Sequence, residues 1–214
     1  MSRRTPVNKK LGRPRDVDSA ETRNALLDVS RRIFARDGYA ATTNRIIADE
    51  VGITTGAIYH YFSSKADLYA AVYEMVQHIV YDRFELVLAE PGTLTQRFSR
   101  ALDAAVDLNR SDSSIAGFVV TVPTEMQRHP ELAALLIPIR HRTATFIGRI
   151  VSDAAAAGEF MEGVETSAVE DLLNAVLSGL ATFSTVNGDV ERHRQAISAL
   201  QLFLAGELVK TRGL

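Results

Sequence analysis

The chain has no cysteine and no tryptophan among its 214 residues. Lacking cysteine, it has no disulfides, thiolate zinc sites, iron–sulfur clusters or cysteine nucleophile, which is consistent with a reducing compartment. No run reaches the ~18 consecutive apolar residues needed to span a bilayer, so no membrane partner is expected. No apolar stretch follows the basic start, so no secretory leader is expected, and the sequon Asn109-Arg110-Ser111 is read as chance. The five histidines, His60, His78, His129, His141 and His193, form no His-Glu-x-x-His pair, so no metal is assigned. There is no Gly-rich phosphate loop and no Gly-x-Ser-x-Gly elbow. The carboxylates scatter over polar helix faces. No catalytic residue and no cofactor are assigned, and an enzyme is not expected.

Net charge is also scarce, at −2, but its distribution is uneven. Residues 1–70 hold 12 Lys/Arg against 8 Asp/Glu, a net of +4. Residues 71–214 hold 12 against 18, a net of −6. Such asymmetry fits a nucleic-acid-facing end and a separate body, or simply a solvated basic tail. The first 15 residues carry Arg3, Arg4, Lys9, Lys10, Arg13 and Arg15 with no acid among them, interrupted by Pro6, Gly12 and Pro14, and are not expected to be helical.

Period-two alternation is absent, and periods near 3.6 recur, so the expected fold class is all-α. Asp18 and Glu21 make a capping box for a first helix that Gly38 stops. A short second helix carries Ile46, Ile47 and Val51 and ends at Gly52. A shorter third begins near Thr54 or Thr55 and carries Ile58, Tyr61 and Phe62. Ser63 or Ser64 caps a long fourth helix with Leu68, Val72, Met75 and Ile79 inward, ended by Pro91-Gly92. Thr93–Asn109 reads as one amphipathic helix. Residues 113–128 read as a helix kinked at Pro123 rather than a lone strand. Glu131–Ala157 reads as one long helix, and Thr166–Val186 and Val190–Val209 as two apolar helices that are either core or a dimer seam.

A short helix, a glycine turn and a shorter helix behind a basic arm is helix-turn-helix geometry. Ile58 and Phe62 face a core, while Thr55 and Tyr59 face elsewhere. Thr54, Thr55, Tyr59 and His60 thus offer hydroxyls and a ring nitrogen suited to phosphates and base edges. A capped surface helix with merely solvated side chains would show the same pattern.

Thr22–Phe34, Gly38-Tyr39, Thr42-Thr43, Ile46-Ile47-Ala48, Val51-Gly52 and the run Gly56 through Leu68 together resemble the tetracycline-repressor (TetR) family. The resemblance covers residues 22–68 in order, spacing and residue type. Tyr61 departs from it, standing where many members carry histidine. The resemblance implies a homodimeric transcription regulator with an N-terminal three-helix DNA-binding head and a larger C-terminal helical bundle that binds a small effector. It implies an arm over 1–18, a head over 19–64 and a body over 65–214 that dimerises through 166–186 and 190–209. It further implies a palindromic double-stranded operator as the DNA partner and a cytoplasmic location, at the nucleoid.

Carried onto this sequence, Thr43 and Asn44 would touch phosphate, and Arg45 a base or phosphate. Thr54, Thr55 and Gly56 would open a recognition helix over Thr55–Tyr61, Tyr59 and His60 would enter the groove, and Lys65 would bind phosphate. Arg13 and Arg15 in the arm suit a narrow minor groove. For the effector cavity the candidates are Phe84, Phe118, Met126, Thr145, Phe146 and Phe183, and the Ala/Leu/Val-rich body favours a hydrophobic ligand. The fourth helix is the expected lever between cavity and head. The competing reading is a helical ligand- or partner-binding protein whose head reads no specific DNA. The exposed Thr54, Thr55, Tyr59, His60 and Lys65 set and the basic arm are features such a protein would not need.

Overall fold

A computed structural model describes the backbone of residues 15–210 and the side chains of residues 19–210. Arg13 lies outside the described residues, and of Arg15 only the helical backbone is described. Among the described residues every regular element is helical. In order they are α1 (Arg15–Ala41), α2 (Asn44–Val51), α3 (Thr55–Tyr59), α4 (Lys65–Leu88), α5 (Leu94–Ser111), α6 (Ser113–Arg128), α7 (Pro130–Leu136), a 3₁₀ turn (Ile137–Arg140), α8 (His141–Ala156), α9 (Thr166–Asn187) and α10 (Val190–Leu204).

The helix starts follow side-chain chemistry. Thr43, Thr54 and Ser64 each accept an amide hydrogen bond three residues on, from Ile46, Ala57 and Asp67. These bonds satisfy amides that have no partner inside the helix. Thr93 and Gln96 form a reciprocal capping box at α5. Gly52 ends α2 in the left-handed conformation (φ 79°, ψ 33°), which turns the chain into α3. Gly38 (φ 78°, ψ 173°) breaks the helical path near the end of α1.

Three boundaries and one helix face differ from the sequence expectation. The first helix begins at Arg15, upstream of the Asp18 capping box. The segment expected as one helix over Glu131–Ala157 is divided into α7, the 3₁₀ turn and α8. Pro138 causes the division, because it has no N–H to donate and its ring crowds the preceding turn. The last helix stops at Leu204, not Val209. Gly206 there takes φ 74°, and the Glu207 amide closes onto the Leu202 carbonyl. Finally, the buried stripe of α4 runs through Leu68, Tyr69, Val72, Tyr73, Val76 and Gln77, leaving Met75 and Ile79 half-buried.

Two apolar cores share α4. The first joins Leu26, Phe34, Ile47 and Ile58 of the front helices to Leu68, Tyr69 and Val72 of α4. It continues into Ile115, Phe118 and Val122 of α6 and Leu132 and Leu136 of α7. The second joins Tyr81 and Phe84 of α4 to Phe98 and Leu102 of α5, Phe146 and Ile150 of α8, Leu173 of α9 and Ile197 of α10. The front core therefore does not end at residue 64. The front helices are packed onto α6 and α7 through the first half of α4.

Candidate nucleic-acid interface

The α2–turn–α3 unit is held by its inward side chains. Ile47, Ala48 and Ile58 are fully or almost fully buried, and Phe62 is buried beside them. That fixes what remains outside. Thr43, Arg45, Ile46, Thr54, Thr55, Gly56, Tyr59 and His60 are all exposed, and Asn44 is half-buried. Tyr59 keeps 56% of its surface open, unusual for an aromatic that could have packed inward. Among the described residues the charged partner of Arg45 is Asp49 one turn away, at a long 3.9 Å.

The two cap threonines have a divided role. Each hydroxyl oxygen accepts an amide bond at 3.2 Å, Thr43 from Ile46 and Thr54 from Ala57. Each hydroxyl proton remains available to donate outward, to a phosphate oxygen or a base edge. The recognition helix is shorter than expected: α3 closes at Tyr59, with His60 as its C-cap. The turn continues through Tyr61 and Phe62, whose amides both reach the Ile58 carbonyl at 2.9 and 3.0 Å.

Gly56 has no internal reason to be glycine. An added Cβ would meet only the Thr54 hydroxyl at 3.9 Å, an ordinary contact, and φ is not positive. A glycine on an exposed helical face that the fold does not require leaves its backbone open to close approach from outside.

Lys65 occupies a more internal place than a phosphate ligand. Its ammonium donates to the carbonyls of Tyr39 at 2.7 Å and Thr42 at 2.8 Å, and lies 4.1 Å from the centre of the Tyr39 ring. Burial holds its pKa below the usual lysine value. It ties the start of α4 to the bend between α1 and α2, so it positions the helix-turn-helix unit from behind.

The same bend is held from the body. The buried Glu125 of α6 accepts the Tyr39 amide at 3.1 Å, and its other oxygen lies 3.5 Å from His129. A Cβ at Gly38 would come within 2.9 Å of the Glu125 carboxylate, so this contact and the positive φ both demand glycine there. Further along, the buried Arg31 of α1 pairs with Asp112, the N-cap of α6, and donates to Ser114 at 3.1 Å. Partial burial pushes the Asp112 carboxyl up, but hydrogen bonds from Ser114 and the charge of Arg31 together hold it below its ordinary pKa. This joint, formed by residues 81 and 86 positions apart, stands beside α4 as a second connection between head and body.

Behind the joint lies a cavity of ≈ 790 Å³ bounded by α4, α5, α6, α8, α9 and α10. Of the six residues nominated for it, Phe84 and Met126 line it. The other four do not. Phe118 and Phe146 are consumed by the two cores, Thr145 is exposed, and Phe183 is half-buried away from the cavity. Gln77, Asn109 and His193 line it instead, each buried. Their signal in the sequence was a polar residue on the inward stripe of an amphipathic helix, as Gln77 is one turn after Tyr73. Burial pushes the His193 pKa below the ordinary imidazole value, which favours the neutral ring.

Known proteins share both halves of this arrangement. Residues 26–72 match the family model of bacterial regulatory proteins of the tetR family. Residues 94–209 match that of the C-terminal region of BetI-type transcriptional repressors. The transcriptional regulator UidR of Escherichia coli K12 is 26% identical over 193 residues, 90% of this chain and 95% of that protein. The repressor KstR2 of Rhodococcus jostii is 44% identical, over 26% of this chain and 28% of its own. In fold, the chain resembles FadR of Bacillus subtilis, solved in complex with stearoyl-CoA. The TM-score is 0.70 at 20% identity, covering 83% of this chain and 96% of that one. Salmonella enterica GusR superposes with a TM-score of 0.66 at 24% identity, covering 94% and 99%. The family model of the C-terminal region alone spans more than half of the sequence, and the helix-turn-helix model adds the head: the chain belongs to the tetR family of DNA-binding transcriptional regulators.

Proposed function

We propose that the protein is a homodimeric repressor that binds a palindromic operator in double-stranded DNA and leaves it when a small, mainly hydrophobic ligand enters the body cavity. One observation carries this reading: α6 forms a cavity wall and also holds the bend beneath the DNA-reading unit. Val122, Pro123 and Met126 line the cavity, while Glu125 of the same turn bonds the Tyr39 amide. A ligand that moves this turn is coupled to the head through a hydrogen bond and a packed core rather than through α4 alone.

The DNA side rests on the exposed Thr43, Arg45, Thr54, Thr55, Tyr59 and His60 around an open Gly56 backbone. Two such units in a dimer must sit about 34–36 Å apart to enter successive major grooves. A ligand that binds better to a dimer with another spacing shifts the population off the DNA. Arg13 and Arg15, the latter at the first position of α1, add affinity from the minor groove, much of it independent of sequence. A reader of chromosomal DNA works in the cytoplasm, at the nucleoid.

Gel retardation on DNA from upstream of its own gene, with excess unrelated competitor, tests the DNA half. Retention of one fragment at about 0.15 M salt is expected, because non-specific binding falls steeply with salt. Equal loss of every fragment to competitor overturns it and leaves a ligand-binding protein without specific readout. Footprinting of the retained fragment should show two protected half-sites related by a dyad.

A further inference from the structure

The effector reading of the cavity leaves the ligand's chemistry open, and the cavity wall constrains it. The wall is not uniform. The α6 side is hydrocarbon, including Ile115, Val119 and Val122. Gln77 from α4 and His193 from α10 also belong to the wall, only 5% and 3% exposed. Among the described residues Gln77 Oε1 and His193 Nδ1 find no hydrogen-bond partner. Buried polar groups in native proteins are ordinarily satisfied, and two unsatisfied ones around one cavity call for a polar visitor.

The charges exclude one kind of visitor. Among the described lining residues the formally charged side chains are Arg140 and Asp171, of opposite sign and both exposed. Burial pushes the pKa of the His193 ring down, so it offers no ready-made cation. A carboxylate sunk beside Gln77 and His193 would therefore have no buried cation to meet it, a strongly unfavourable state. A bare hydrocarbon would leave both groups unbonded. The volume of ≈ 790 Å³ lies within the range of sites that enclose a drug-sized molecule.

We propose that the cavity takes an uncharged, largely apolar molecule bearing a hydroxyl group, with the hydroxyl bound by Gln77 and His193 and the apolar body lying against α6. The proposal rests on the effector reading above and sharpens it to a neutral alcohol or phenol class.

Three fluorescent probes with one apolar body test it on the full-length protein: pyrene, 1-pyrenemethanol and 1-pyrenecarboxylate, titrated at pH 7.5. The expected order places 1-pyrenemethanol at least tenfold tighter than either of the others. In Gln77→Leu with His193→Phe, its affinity should fall to that of pyrene, while pyrene itself changes less than about twofold. Pyrene binding as tightly as 1-pyrenemethanol overturns the proposal, as does preference for the carboxylate that is lost in Arg140→Gln, or no binding of any probe. If the double variant fails to fold by circular dichroism, the order in the unsubstituted protein decides alone. Gel retardation with the same probes separates the two readings. The expected order without release of DNA supports the ligand class and overturns the effector role.

Discussion

At the scale of single residues, the exposed glycine of the recognition helix makes the sharpest distinction between fold and function. Gly56 sits in α3 where an added Cβ would make only an ordinary 3.9 Å contact, and its φ is not positive. Gly56→Ala should therefore raise stability, by about 0.5–1 kcal/mol, the usual difference between the two residues in a helix. The same methyl would stand between the α3 backbone and a docked DNA strand. An affinity loss of about tenfold, near 1.4 kcal/mol, is expected in a binding titration while the unfolding midpoint rises. A loss of both would mark Gly56 as structural. His193 makes a second residue-scale prediction. Its folded pKa is depressed by burial below 6.5, so the unfolded chain binds its proton first as pH falls. Its share of stability is present above pH 6.5 and is lost below it. Thermal melts between pH 7.5 and 5.5 should show a decline that His193→Phe flattens.

At the scale of elements, α6 is where cavity and head meet. Glu125→Ala would leave the buried Tyr39 amide without an acceptor, and should cost about 1–3 kcal/mol in denaturant unfolding. Glu125→Gln keeps an acceptor and should retain most of that stability. If the joint transmits the ligand's effect, ligand-induced release from DNA should also weaken in the Ala variant at matched ligand occupancy. Little of α6's role was legible in the sequence. The head was legible because its signals are local: Thr43, Thr54 and Ser64 cap within three residues, and Gly52 turns the chain where it stands. The Lys65 clamp and the Glu125 contact join residues 26 and 86 positions apart, beyond any periodicity. Four cavity nominations failed for a related reason. An aromatic on an inward face fills a core as readily as it lines a void, and Phe118 and Phe146 did the former. The 3₁₀ break after α7 was signalled by Pro138, but its depth within an apolar run hid how completely it divides the helix.

At the scale of the whole molecule, the charge split and the two cores describe one machine with a front and a back. The basic first 70 residues carry the reader, and the acidic remainder is repelled by the duplex that the reader approaches. At the far end α9 and α10 leave Leu172 60%, Val186 78% and Phe203 61% exposed, large apolar side chains that none of the described residues covers. Scattered exposed leucines are ordinary, but several on one helix pair fit a seam between two copies. Leu172→Glu with Phe203→Glu tests this without attacking the core. Because both side chains already face solvent, each protomer should stay folded, with stability changed by about 0.5 kcal/mol or less per site. Sedimentation should show a monomer where the unsubstituted protein sediments as a dimer. Operator affinity should then fall at least about a hundredfold, because one half-site no longer raises the local concentration of a reader for the other. A dimer that persists would move the seam off these helices. A monomer that still holds the full operator tightly would mean that each head reads its half-site alone, and the spacing of two heads would then have no part in ligand release.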